Sequence, residues 1–336
     1  MRRAIKPALL GLTLALGCSG PAWAIAPPDS TTASPERVVA YTIANDAPFR
    51  TDYYFTQGMS LMVLLPAFRR LPTRHLLFPA GVPGSLSHYG VRIRYDGFTP
   101  RRIQDAFIRV GDRPYAAYLY VTLFHSRTDP ARRARLTSGV QVGIIGPAVG
   151  AKPFQVNLHR WLDAPTPRGW DFQVRNDLVL GYEVGAERQL LTAGRALEVV
   201  GTARAALSTL RTASNAGVVV RVGLFEPYFR TLLGVTGGGR ASGRRPVQAY
   251  LEGRAEAQAI GYDATMQGGL LNRAFSRPSP YTLPGSAVRR GVVQGSGAVV
   301  LAVGGVSARA VGWWMTPEIR GGRRHAWGQV DVRVAF

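Results

Sequence analysis

The 336-residue chain carries 41 Lys and Arg against 20 Asp and Glu, a formal charge of +21 with a sequence pI of about 11.2. Its single cysteine, Cys18, excludes an intrachain disulfide and a thiolate metal cluster. So basic a balance invites a nucleic-acid reading, but the arginines are spread along the chain and its start carries an export signal, so no nucleic-acid partner is expected.

The first 24 residues read as a secretory signal peptide. Arg2, Arg3 and Lys6 precede a short apolar run from Pro7 to Gly17, and Ala22-Trp23-Ala24 supplies the small-residue cleavage site. The run is too short to span a bilayer as a helix. Cys18 loosely resembles a lipoprotein site, with Ala15 where such signals prefer Leu; cleavage after Ala24 is the reading adopted. Three positive charges leave with the signal, so the mature chain keeps +18. Lys6 and Lys152 are the only lysines, and arginine contacts phosphate and carboxylate in bidentate fashion. An anionic membrane surface is therefore the expected partner, with a simple preference for Arg over Lys as the plain alternative.

Residues 25–336 form one unit, opened by the Pro/Ser/Thr-rich leader from Ile25 to Glu36. The longest later apolar run, Ala298 to Val306, falls short of a transmembrane helix. Several stretches instead alternate with period two. Tyr54 to Leu65 places Thr56, Gly58 and Ser60 on one face and Phe55, Met59, Leu61 and Val63 on the other. Leu136, Val140, Val142 and Ile144 oppose Thr137, Gly139, Gln141 and Gly143. From Val247 to Ala259 the odd positions are apolar or small and the even ones polar, and Val330, Val332, Val334 and Phe336 oppose Gln329, Asp331 and Arg333. Such faces suit a soluble sandwich or a membrane barrel. Export, strand candidates along the whole chain and an amphipathic last strand ending on Phe336 favour the barrel. The fold expected is all-β, a transmembrane antiparallel β-barrel of roughly a dozen strands, whose polar face, Thr56 included, looks inward.

The chemistry gathers between Gln155 and Gln173, where His159 lies close to Gln155 and Asn157, followed by Asp163 and Trp170-Asp171. Histidine is the side chain whose ordinary pKa suits a general base near neutrality. Neither a G-x-S-x-G elbow nor a mature cysteine is present, which favours attack by water. Trp161 and Trp170 read as interface-belt aromatics, Asn45-Asp46 as a possible turn pair, and Asp112-Arg113-Pro114 as a structural ion pair at a strand start.

Four motifs occur in order: Ala44-Asn45-Asp46 with Thr51-Asp52-Tyr53-Tyr54-Phe55-Thr56-Gln57-Gly58; Gly111-Asp112-Arg113-Pro114-Tyr115; Gly146-Pro147 leading into Gln155, Asn157 and His159; and Gly169-Trp170-Asp171 with Gln173. Together they resemble the lipid A 3′-O-deacylase family, the LpxR-type outer-membrane barrels. The resemblance covers the mature chain to about Glu183. It implies a twelve-stranded barrel in the outer membrane and a calcium-dependent esterase that removes the 3′-linked acyloxyacyl group of lipid A in lipopolysaccharide; a monomer is expected. It also implies residue roles. His159 would be the base, with Thr56 and Asn45 beside it in the catalytic group. Asp46 would be the Ca2+ ligand, and Arg101, Arg102 and Gln155 would bind substrate. Phe55 stands where the family has Tyr, and Asp163 is the nearest acid after the histidine. Two alternatives stay open: another outer-membrane lipid enzyme, such as a phospholipase or acyltransferase, and a barrel without chemistry.

Overall fold

In a computed structural model the described residues are 32–49, 53–77, 84–233, 247–274 and 277–336. The proposed signal peptide and most of the leader lie outside them, as do Thr51 and Asp52. A two-residue strand, β1 (Thr32–Ala33), is followed by β2 (Val38–Asn45), β3 (Tyr54–Leu64), β4 (Leu86–Thr99), β5 (Ala116–Asp129) and β6 (Ala134–Ile145). After helix α1 (Ala151–Trp161) come β7 (Asp177–Ala193), β8 (Leu197–Ser208), β9 (Arg211–Leu224) and β10 (Val247–Asp263). Two short helices, α2 (Ala264–Gln267) and α3 (Leu270–Ala274), lead to β11 (Gly291–Val303), β12 (Val306–Met315) and β13 (His325–Ala335).

Strands β2 to β13 pair antiparallel with their sequence neighbours, and β13 pairs with β2, so the sheet closes as a twelve-stranded barrel. Closure satisfies the backbone donors and acceptors and leaves no edge for lipid to meet. β1 adds a parallel pairing to the start of β4. Among the described residues no helix is long and apolar enough to cross a membrane.

The alternation read from the sequence sets inside and outside. Along β10 the odd positions are exposed and small or apolar, while Gln248, Tyr250, Glu256 and Gln258 are buried in the lumen. Leu136 and Val142 of β6, and Val330, Val332 and Val334 of β13, likewise face out. The lumen is filled by charge pairs. Arg92 meets Glu183 at 2.8 Å, Arg135 meets Glu187 at 2.9 Å, and Arg221 meets Glu198 at 3.0 Å. Arg309 bridges Glu252 at 2.7 Å and Asp331 at 2.8 Å.

Both ends of the lumen are covered. At the end that holds the termini, residues 226–233 turn into the barrel. There Arg135 donates to the carbonyls of Tyr228 and Thr231, and Glu226 N–H donates to Gln248 Oε1 at 2.9 Å. At the other end, Tyr54, Met266, Leu283, Val288 and Ile319 form a buried apolar cap. The cap is latched by Arg113, which donates to Glu318 Oε2 at 2.6 Å and to Thr265 Oγ1 at 2.9 Å and lies over the Phe98 ring. The ion pair expected at Asp112-Arg113-Pro114 is corrected: Arg113 pairs with Glu318 and Asp112 with Arg101, and the bond between the two residues runs from the Arg113 backbone N–H to Asp112 Oδ1. Asp112 is fully buried and accepts both the backbone and side-chain N–H of Arg101.

Turns at 130–133, 194–196 and 304–305 share the terminal end with the longer connections 65–85 and 225–246, and the segments 46–53, 100–115, 146–176, 209–210, 264–290 and 316–324 share the other. Barrels of this class turn their longer loops to the outside of the cell.

Candidate active site on the outer wall of the barrel

The candidate site is not in the lumen. Strict alternation would point Thr56 inward with Gly58 and Ser60, but the β3–β4 register slips between Phe55 and Gln57. A bulge adds one residue and re-aims its neighbours. Here Phe55 turns inward, edge-on to Phe98 and tilted against Trp327, and Thr56 turns outward. Both faces expected around Thr56 and Phe55 are thus corrected by one extra residue. Tyr54, immediately before the bulge, has a φ of 70°, a conformation non-glycine residues seldom adopt.

Outside the wall, residues 146–176 fold back against β4 and β5. Gly146 makes the departure possible: its φ is 111°, and a Cβ there would lie 2.5 Å from the Asn176 backbone nitrogen. The segment then forms α1, which the strand-dominated sequence reading did not anticipate. Ala151 and Trp170 pack with Tyr115, Ala117 and Tyr95 on the outer wall, and Phe154 meets Tyr95 edge-on. The helix makes sense of the spacing around His159. Gln155 and His159 are one turn apart on one face, whereas Asn157 is exposed and accepts from Arg160. The i, i+4 relation, and not Gln155-x-Asn157-x-His159, was the usable signal.

Asn45, Thr56 and Gln155 are joined directly. Gln155 Nε2 donates to Thr56 Oγ1 at 3.2 Å, and Asn45 Nδ2 donates to the Thr56 carbonyl at 2.8 Å. Asn45 Oδ1 accepts from Ala47 N–H at 2.7 Å, which closes a turn and commits that oxygen. The expected turn role is borne out, and the same side chain braces Thr56. His159 Nδ1 lies 2.7 Å from the Pro165 carbonyl. A carbonyl only accepts, so neutral His159 carries its proton on Nδ1 and presents the lone pair on Nε2. Asp163 does not orient the ring; it occupies an exposed turn at φ 52°, and a backbone carbonyl takes the place an acid would fill.

Asp46 is buried directly after β2 and Asn45. No group of three or more His, Cys, Asp and Glu able to hold a metal occurs among the described residues. Calcium accepts carboxylate, carbonyl and water oxygens, so among the described residues a site here would draw on fewer than three acidic side chains, with Asp46 the expected one. Of the basic residues expected to bind substrate, Arg101 is tied to buried Asp112 at 3.2 Å, while Arg102 is exposed and 3.8 Å from Asp105.

Trp161 is 81 % exposed at the end of α1, as an interface aromatic should be. Trp170 is only 1 % exposed and donates its indole N–H to Gln155 Oε1 at 2.7 Å. The belt reading fails for Trp170. Its place beside Gly169 could have hinted at this, since a Cβ at Gly169 would lie 2.4 Å from the Tyr115 ring. The remaining four histidines sit elsewhere: His75 exposed in the short 3-10 turn Pro72–Leu76, His88 beside Glu36, His125 beside Ser87, and His325 against Tyr54 and Trp327.

Comparison with known proteins follows the same lines. No curated protein matches the chain. Among solved structures, LpxR from Salmonella typhimurium superposes with a TM-score of 0.68 at 17 % identity, covering 89 % of this chain and all of that one. The β domain of the Bordetella autotransporter BrkA is a more distant barrel, at TM-score 0.46 and 10 % identity, covering 90 % of this chain and all of that one. The family model described as "Outer membrane protein LpxR" matches residues 10–336. The chain is therefore an outer-membrane β-barrel and belongs to the LpxR family.

Proposed function

We propose that this barrel is a calcium-assisted hydrolase that removes the 3′-linked acyloxyacyl group of lipid A. One observation carries the reading. Polar residues with unused hydrogen-bonding capacity converge on the lipid-facing side of the wall, at the loop end. A pore would concentrate them in the lumen, which here is crossed by ion pairs and covered at both ends. Below Thr56 the wall presents Tyr41, Ile43, Leu61 and Ile93, all exposed. Acyl chains could lie along that surface with their ester linkages level with Thr56, so substrate would enter sideways from the outer leaflet.

In this reading His159 Nε2 takes a proton from water as the oxygen attacks the ester carbonyl, and returns it to the departing alkoxide. Ester and water become acid and alcohol. Thr56 donates a hydrogen bond to the oxygen on which charge develops, and the Asn45 amide braces the bulge that aims Thr56. Calcium, when bound, would supply Lewis-acid polarisation of the carbonyl, with Asp46 among its holders. Arg102 is the exposed cation suited to a lipid A phosphate. Arg101 would act mainly by anchoring the loop. Lipopolysaccharide is the partner, and a single barrel contains the whole constellation.

The test is mass spectrometry of lipid A from Gram-negative cells expressing the wild type or His159→Ala, with parallel membrane assays in calcium or chelator. Loss of a 3′-acyloxyacyl mass with wild type and calcium alone is expected. Unchanged lipid A beside altered phospholipids would move the reaction to another lipid. No change in either, from a folded and inserted barrel, would remove the enzyme reading.

A further inference from the structure

The role of Trp170 follows from hydrogen-bond chemistry. Trp170 and Gln155, 1 % and 3 % exposed, are joined by the 2.7 Å bond from indole Nε1 to Oε1. The two ends of a carboxamide are ordinarily assigned by their neighbours. An indole N–H can only donate, so the oxygen of Gln155 must face Trp170 and its NH2 must face Thr56. Thr56 Oγ1, 3.2 Å away, then accepts from Gln155, and its single proton is left to point elsewhere.

We infer that Trp170 is a positioning residue that sets the direction of the chain Trp170→Gln155→Thr56, so that Thr56 meets the substrate as a hydrogen-bond donor. The inference rests on the proposed hydrolysis in so far as the donor serves an ester oxygen. Without the indole N–H, the Gln155 amide can turn over and offer its oxygen to Thr56. The hydroxyl would then spend its proton on Gln155 and present only lone pairs to an oxygen that is gaining negative charge. Burial makes this direction matter, since a misdirected bond among desolvated groups is not rescued by water. The Trp170 ring also packs on Tyr115, with centroids 4.8 Å apart, so Phe at position 170 keeps the aromatic contact and deletes only the donor.

The experiment is a double-mutant cycle on purified full-length barrels in detergent, with lipopolysaccharide as substrate and calcium present. Trp170→Phe is expected to lower kcat about tenfold with KM changed less than about twofold. In a Thr56→Ala background the same change should cost nothing further. Gln155→Glu, which can only accept from Thr56, should lose as much as Thr56→Ala, on the order of a hundredfold. Heat-modifiable electrophoretic mobility confirms folding of each variant. A readout independent of turnover is the Trp indole 1H–15N resonance that disappears in Trp170→Phe, which should shift in Gln155→Ala. Wild-type kcat in Trp170→Phe, or losses that multiply fully with Thr56→Ala, would overturn the inference. If the wild type cleaves no lipid A, the hydrolysis reading falls separately. The indole resonance then judges the chain alone, and no shift in Gln155→Ala overturns it.

Discussion

The inside and outside of the barrel use polar residues in opposite ways. In the lumen Arg309 is claimed by two carboxylates, Arg92 by Glu183, and Glu183 again by Gln141 at 2.6 Å. These groups offset one another's charge, which is what burial demands, although the Nε atoms of Arg92 and Arg309 keep no hydrogen-bond partner. On the wall, Thr56 and His159 are tethered on one side only, while Asn45 and Gln155, each bonded at both ends of its carboxamide, brace Thr56. His159 is held through Nδ1 and offers Nε2; Thr56 accepts and offers its proton. Mutual satisfaction gives rigidity, while one-sided tethering gives oriented groups ready for a substrate. By that criterion the charged interior is scaffold, and the proposed chemistry falls to the sparser outer patch.

Two substitutions should separate these roles in opposite directions. The largest effect is expected from His159→Ala, a loss of about 10²–10⁴ in turnover with the urea midpoint of the vesicle-inserted barrel unchanged. Next comes Arg309→Ala, which strands Glu252 and Asp331 beside each other in the lumen. Breaking such a buried set costs about 3–5 kcal/mol, read as a lower urea midpoint, while turnover per folded barrel stays at the wild-type level. A fall in both quantities for either variant would erase the distinction between scaffold and site.

The same contrast explains what was legible in the sequence. The barrel follows from a two-residue period that lipid and lumen enforce on every strand, so Val247–Ala259 and Val330–Val334 could be read directly. Thr56 could not be oriented in that way, because a bulge adds one residue without any mark in composition. α1 was obscured because an eleven-residue helix lies within a chain of strands, and its buried residues, Ala151 and Gln155, give little apolar periodicity. Gln155 and His159 were identified by type and motif, but their shared face emerges only once the helix exists. Trp170 carried two opposite signals, an aromatic at membrane depth and an indole that needs a partner when buried. Only its neighbours decide between them.

The smallest expected effect concerns the cap over the lumen, and it bears on how independent the two regions are. Burial pushes the Glu318 carboxyl up, but Arg113, assisted by His325 and Arg211, overcomes this and holds it below the usual carboxylate range. A carboxyl depressed in the folded state stabilises fully above its unfolded pKa, about 4.3 for Glu. That contribution is lost as pH falls from there through the folded value. Hydrogen exchange in residues 317–324, corrected for intrinsic rates, should therefore be slow near about pH 6 and rise on acidification. Glu318→Gln should exchange fast at every pH, and the two proteins should converge in acid. Flat protection of the wild type down to about pH 3 would count against the latch. Loosening can reach the wall site through the segment that carries Asp112 and Arg113 into Tyr115, against which Trp170 packs, and through Tyr54, which accepts from Arg323 N–H and precedes the bulge at Thr56. Turnover by Glu318→Gln near neutral pH that holds while its loop exchange rises would mean that β3, β4 and α1 sustain the site without help from the cap.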